Sequence, residues 1–219
     1  MFVKDRMTPQ PLVVVTPETP IIEAQRMMQD HNIRHLPVVA EHQNLVGLLT
    51  RETMLQAVPW SAASLSTLET QYILSKVTAS KVMIHDVITV TEDTPVEEAA
   101  RIMVDHKIGC LPVLRAGALV GIITDIDLLS TTMEMLGARQ SGIRLSVTVP
   151  NRVGEMARLS GAIADIGGNL NAFGTWEGEQ APNRLGVVLK VSGVSKQQLL
   201  TTLQELSDIE ILDARDVMS

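Results

Sequence analysis

The sequence predicts an α+β protein in two parts, and three observations carry that prediction. Residues 13–39, "VVVTPETPIIEAQRMMQDHNIRHLPVV", align without gaps on residues 88–114, "ITVTEDTPVEEAARIMVDHKIGCLPVL", at an offset of 75. After a one-residue shortening, "LVGLLT" (45–50) pairs with "LVGIIT" (119–124). From residue 141 the pattern changes to alternating strands and two helices in the order β-α-β-β-α-β. An internal duplication is therefore followed by a third, unrelated unit.

Each copy reads in the same order. A short β-rich run comes first, and Thr-Pro then opens a helix. Thr19 or Thr94 is expected as N-cap, Pro20 or Pro95 at the first helical position, and Thr94 with Glu97 as a capping box. Ala24, Met27 and Met28, or Ala99, Ile102 and Met103, recur at helical spacing and predict the buried face. Two strands and a closing helix complete a β-α-β-β-α unit. Such a unit is about half an ordinary domain, so two copies are expected to pack as one globule. Between them, Leu65, Leu68 and Tyr72 predict a connecting helix. In the tail, "GIRLSVTVP" alternates like a strand and "NRVGEMARLSGAIADIGGNL" reads as a helix ending at Gly167-Gly168. The tail order predicts a ferredoxin-like sandwich of helices on an antiparallel sheet. The expected divisions are residues 1–60 (first repeat), 61–80 (connecting helical segment), 81–137 (second repeat) and 141–219 (tail domain).

Composition narrows the functional classes. The 219 residues carry 18 Lys+Arg against 25 Asp+Glu, a formal charge of −7, which argues against a nucleic-acid partner because phosphate binding needs a basic face. Aromatics are 2%, leaving few platforms on which bases could stack. The single cysteine, Cys110, has no partner for an internal disulfide. The N-terminus lacks signal-peptide order, and no apolar run approaches the roughly 20 residues of a membrane span. A cytoplasmic protein with no membrane partner is expected. No G-x-S-x-G, Walker A or H-E-x-x-H pattern occurs, so no enzymatic apparatus is expected. His31 and His106 each follow an Asp, a recurrence the duplication explains, and no metal is expected.

The duplicated half, through "LPVV…LVGLLT" and "LPVL…LVGIITDIDLL", resembles a pair of CBS domains, the tandem module named after cystathionine β-synthase. The tail, through "VPNRVGEMARLSGAIADIGGNLNAF", resembles an ACT domain. The order CBS-CBS-ACT is similar to the acetoin-utilisation AcuB-like proteins. The resemblance implies a non-catalytic, homodimeric regulator that requires no cofactor, with a metabolic enzyme as candidate partner; the alternative is a structural dimer or adaptor that regulates such an enzyme without binding nucleotide. Its implied ligands are AMP, ADP, ATP or S-adenosylmethionine, held between the repeats.

By that resemblance a Gly-h-h-Thr/Ser-x-x-Asp motif contacts ribose, and Gly121, Thr124 and Asp127 match it. A carboxylate can accept hydrogen bonds from both vicinal hydroxyls. In the first copy Gly47 and Thr50 remain but Thr53 replaces the acid, which predicts one competent and one degenerate site. The plainer alternative is that Asp127 caps a helix over residues 128–136, as Asp125 could. Arg34 and His35 are candidate phosphate ligands, or else a solvated Arg beside a half-buried His; Gly109 and Cys110 occupy their places in the second copy. Adenine is expected in an apolar slot near residues 87–91 and the Leu-Pro-Val strands. In the tail, the resemblance to ACT domains implies Asn151, Gly154 and Asn169 as candidate amino-acid ligands. The alternative is that Asn151 is an N-cap, Gly154 serves packing, and the tail holds a dimer.

Overall fold

A computed structural model describes residues 1–56, 76–177 and 183–218, and these divide into two compact units, Met1–Leu128 and Leu129–Ser219. The connecting helix expected from Leu65, Leu68 and Tyr72 lies outside the described residues.

In the first unit, strand β1 (Thr8–Pro9) is followed by helix α1 (Ile21–Asp30), strands β2 (His35–Val39) and β3 (Leu45–Thr50) and helix α2 (Arg51–Gln56). The second copy runs through α3 (Ala79–Val82), β4 (Val90–Thr91), α4 (Val96–His106), β5 (Cys110–Arg115), β6 (Ala118–Thr124) and α5 (Asp125–Met135). The duplication is visible in the register. β2 pairs antiparallel with β3 so that His35 faces Thr50, and β5 pairs with β6 so that Cys110 faces Thr124. Both first helices bury the same positions, Ile21, Ala24 and Met28 in one and Val96, Ala99 and Met103 in the other. Each fully buried aliphatic side chain contributes about 1.5–3 kcal/mol to holding the helix on its sheet.

The helix starts differ from expectation. Pro20 and Pro95, not the threonines, occupy the cap positions, and neither end has a side-chain cap or a Thr94–Glu97 box. Thr19 Oγ1 instead accepts from the Thr16 amide at 3.1 Å, and Thr94 Oγ1 from the Thr91 amide at 3.1 Å. The hydroxyls close the turn before each helix, because a short polar side chain competes for nearby backbone donors.

The leading β-rich runs stay with their own copies, Val15 pairing with Val38 and Val90 with Val113, but the segments just ahead of them cross over. β1 precedes the aligned stretch 13–39 of the first repeat yet pairs with β6 of the second, and Val3 packs with Val96, Leu111 and Ile123. Reciprocally, Ile84 precedes the aligned stretch 88–114 of the second repeat yet pairs with Leu48 of β3, and Ala79 joins the first repeat's core. The linear bounds 1–60 and 81–137 do not express this crossing. It accounts for Gly47 and Gly121. A β-carbon at Gly121 would lie 3.0 Å from the Thr8 carbonyl oxygen, and one at Gly47 would lie 3.1 Å from that of Ile84. The motif glycines thus let the exchanged strand cross against the backbone.

The second unit contains β7 (Gly142–Pro150), α6 (Glu155–Asp165), β8 (Asn169–Glu177), β9 (Arg184–Ser192), α7 (Lys196–Gln204) and β10 (Glu210–Val217). All its strand pairs are antiparallel, in the sheet order β10-β7-β9-β8. This is the predicted β-α-β-β-α-β order with the first and third strands central. Leu145, Val147, Leu189 and Val191 face Leu159, Ile163, Leu199 and Leu203 in a core of aliphatic side chains. α7 opens with a capping box between Ser195 and Gln198. α6 begins at Glu155, four residues later than the sequence pattern indicates. Gly154 sits at its cap with φ 86°, so Asn151 is not an N-cap.

Candidate functional site

Two cavities form within the first unit, related by the duplication. One, of about 540 Å³, is lined by Ile122, Thr124, Ile126 and Asp127 from the second copy and by residues 11–13 and 32–35 from the first. The other, of about 680 Å³, is lined by Leu48, Thr50, Glu52 and Thr53 from the first copy and by residues 86–88 and 107–110 from the second. Both volumes fall within the roughly 300–1,000 Å³ typical of small-molecule sites. Each cavity therefore joins the strand-end motif of one copy to the leading segment and helix exit of the other.

The structure brings Thr124 and Asp127 together with Arg34 and His35 in the smaller cavity. Thr50 and Thr53 line the larger one, which Arg34 and His35 also border. The apolar slot expected beside Asp127 is corrected. Val87 and Ile88 line the Thr53 cavity, while Leu12 and Val13 line the Asp127 cavity. The strand exchange is the reason, since each leading segment faces the other copy's motif.

Thr124 and Asp127 form a reciprocal cap at the start of α5. The Thr124 amide donates to Asp127 Oδ2 at 2.8 Å and its hydroxyl at 2.7 Å, while the Asp127 amide approaches Thr124 Oγ1 at 3.4 Å. α5 begins at Asp125, three residues before the expected start, so Asp127 lies in its first turn. The same geometry survives in the first copy with a hydroxyl. The Thr50 amide donates to Thr53 Oγ1 at 3.1 Å, and Thr53 Oγ1 gives its own proton to the Thr50 carbonyl at 3.0 Å. Position 53 thus keeps the cap but presents neither a charge nor a second acceptor oxygen.

Arg34 Nη2 lies 2.8 Å from Asp125 Oδ1, in a pair with both side chains about half exposed. Burial and the adjacent Arg34 charge lower the His35 pKa, favouring the neutral imidazole. Cys110 is buried, and that burial pushes its thiol up to about 12. It is therefore no thiolate nucleophile at neutral pH. No group of metal-ligating side chains occurs among the described residues.

Arg51 and Lys107, which also line the larger cavity, escaped the sequence reading, as did the pairing of Asp125 with Arg34. A signal was present. Asp125 occupies the place of Arg51, so the copies carry opposite charges at equivalent positions.

The tail candidates separate. Gly154 has open space at its β-carbon position, and the Asn151 amide donates to the Asn183 carbonyl at 2.8 Å. Asn169 pairs in register with Ser192, whereas Pro150, beside Asn151, pairs with Arg184 at the opposite end of β9. At about 3.4 Å per residue those ends are some 27 Å apart. One chain does not assemble Asn151, Gly154 and Asn169 into a single site.

The sequence pattern of the CBS domain matches residues 3–59 and 79–134, just over half of the chain. The chain belongs to the CBS domain family. The chain resembles the L-aspartate semialdehyde sulfurtransferase of Methanocaldococcus jannaschii, with 32% identity over 58% of this chain and 22% of that enzyme. The chain spans about a quarter or less of the length of the first curated relatives it matches. Among solved structures it resembles a protein assigned to acetoin utilization (AcuB) from Vibrio cholerae. That match has 30% identity and a TM-score of 0.53, and covers 64% of this chain and 96% of the other. It also resembles CBSX2, from Arabidopsis thaliana, in complex with AMP. Identity there is 28% and the TM-score 0.52, over 60% of this chain and 96% of that one. No helix among the described residues is long and apolar enough to cross a membrane.

Proposed function

We propose that the chain is a non-catalytic sensor whose CBS pair binds an adenosine nucleotide or adenosyl compound in the cavity holding Thr124 and Asp127. The observation that carries this is the convergence, in one 540 Å³ cavity, of Thr124 and Asp127 from one repeat with Arg34 and His35 from the other. The carboxylate and hydroxyl suit a ribose diol, and the guanidinium suits a phosphate. Leu12 and Val13 supply an apolar wall for a base. The likeness to CBSX2, solved in complex with AMP, supports the ligand class. Candidate ligands are AMP, ADP, ATP and S-adenosylmethionine.

The tail is read as an ACT-like unit by its strand order and its sequence resemblance. Since its candidate amino-acid ligands are split across one chain, a second copy would have to complete any such site, which favours a homodimer. Binding in the CBS pair would bias a partner enzyme only through a difference in affinity between two arrangements of the chain. A role in acetoin utilisation rests on the likeness to AcuB alone.

A second reading is an adaptor that regulates a partner without binding nucleotide. The Thr124–Asp127 cap favours it, because that cap gives Asp127 a structural role. Calorimetric titration of nucleotide-stripped protein with AMP, ATP and S-adenosylmethionine separates the two. The sensor reading expects saturable binding near one per chain, and the adaptor reading expects none. Thr53→Asp extends the test to the larger cavity. It is expected to raise the stoichiometry from about one to about two per chain, since it restores the missing carboxylate on an already formed cap. An unchanged stoichiometry would mean that the cavity lacks more than that one group.

A further inference from the structure

We infer that Asp125 sets the ligand preference of the Asp127 cavity by holding Arg34, so that adenosyl compounds without phosphate are favoured over nucleotides. This rests on the adenosine reading above and deepens it. Arg34 lies on the wall common to the two cavities, and its guanidinium is engaged by Asp125 Oδ1 at 2.8 Å. That carboxylate is itself fixed, because Oδ1 also accepts from the Ile126 amide at 2.8 Å at the start of α5.

The duplication explains why the wall has one cation and not two. The Asp125 amide donates to the Gly109 carbonyl at 3.0 Å, as the Arg51 amide donates to the Arg34 carbonyl at 3.1 Å. Gly109 is thus the counterpart of Arg34. A β-carbon there would stand at ordinary contact distance, 3.4 Å from Asp125 Oδ2 and 3.5 Å from His35 Nε2, so it is glycine at 109 that leaves this side of the wall without a side chain. The guanidinium of Arg34 and the carboxylate of Asp125 face each other, where the equivalent positions of the other copies are Gly109 and Arg51.

A nucleoside whose ribose meets Thr124 and Asp127 needs nothing from Arg34. A phosphate attached to that ribose must draw Arg34 away from Asp125 and then tolerate the bared carboxylate. Asp125 therefore opposes anionic ligands twice, by competing for the cation and by repelling the anion. His35, held neutral, does not offset it, and Asp127 in the cavity wall carries negative charge of its own, whereas Asp125 acts on the cavity through its pair with Arg34.

The test is calorimetric titration of the full chain with adenosine and with AMP, for wild type, Asp125→Asn and Arg34→Gln. Asparagine keeps the oxygen that caps Ile126 but loses the charge. Asp125→Asn is expected to tighten AMP by about two- to fivefold, the scale of a half-exposed ion pair, and to leave adenosine unchanged. Arg34→Gln should weaken AMP and spare adenosine. If Asp125→Asn moves both ligands alike, or neither, while wild type binds them, this inference falls and the adenosine reading stands. If wild type binds neither ligand, both fall.

Discussion

Asp127→Ala is expected to weaken binding of adenosine or AMP by roughly 30- to 150-fold, equivalent to about 2–3 kcal/mol for lost hydrogen bonds to a charged group. The same substitution removes the acceptor of the Thr124 amide and hydroxyl, so it should also destabilise the start of α5 by about 1 kcal/mol. These two effects have different readouts. Titration calorimetry follows the first, and thermal melting without ligand follows the second. Asp127→Asn separates them further. It retains an oxygen for the cap and should melt near wild type, yet it carries no charge and should bind about tenfold more weakly. If Asp127→Ala lowers the melting temperature and leaves affinity untouched, the carboxylate is a helix cap and the adaptor reading prevails.

The comparison of the two repeats shows why this residue deserves the largest expectation. Both copies need a reciprocal cap at this helix start, and threonine meets that need at position 53 as aspartate does at 127. Capping alone would therefore accept either residue. The difference between them is charge and a second acceptor oxygen, which are the properties a diol-binding site uses and a cap does not require.

How far the sequence could be read depended on the range of the interaction involved. The helices and hairpins of both repeats were legible because their buried positions recur locally, Ala24 and Met28 in one copy and Ala99 and Met103 in the other. The tail's β-α-β-β-α-β order was legible for the same reason. The exchange of β1 and residue 84 between repeats was not, because strands of two or fewer residues leave no periodicity and their partners lie more than 30 residues away. That exchange explains the misplaced apolar slot, since it moves Val87 and Ile88 to the Thr53 cavity. Thr124 and Asp127 could be singled out because the duplication made their asymmetry visible. The Arg34–Asp125 pair spans 91 residues, and only the charge inversion at 51 and 125 hinted at it. Asn151, Gly154 and Asn169 were grouped by resemblance, and the sheet register separates them.

In the second unit the largest stability effect is expected at Glu155, whose carboxylate is buried to 3% exposure at the first turn of α6. Arg152 Nε donates to its Oε2 at 2.9 Å, and Arg158 donates to its Oε1 through Nε at 3.0 Å and through Nη2. Arg158 Nη2 also reaches the Ser207 carbonyl at 2.9 Å, so the carboxylate ties the helix start to the loop before β10. Burial pushes this carboxyl up, but the hydrogen bonds and charges of Arg158 and Arg152 outweigh it and hold the pKa below the ordinary value. Glu155→Gln keeps the shape and removes the charge, leaving two guanidiniums around a neutral amide. The expected cost is about 2–3 kcal/mol, or a fall in melting temperature of roughly 10–20 °C for a unit of this size. The pH dependence follows from the sign of the shift. A folded pKa below the unfolded one gives stability that is present above the unfolded value and lost as pH falls through the folded value. The gap between wild type and Glu155→Gln should therefore be full at neutral pH and shrink once the pH drops below the ordinary carboxylate range. Scanning calorimetry of both proteins at neutral and acidic pH measures it. A gap that stays constant into acid would mean that the clasp acts through packing and not through charge.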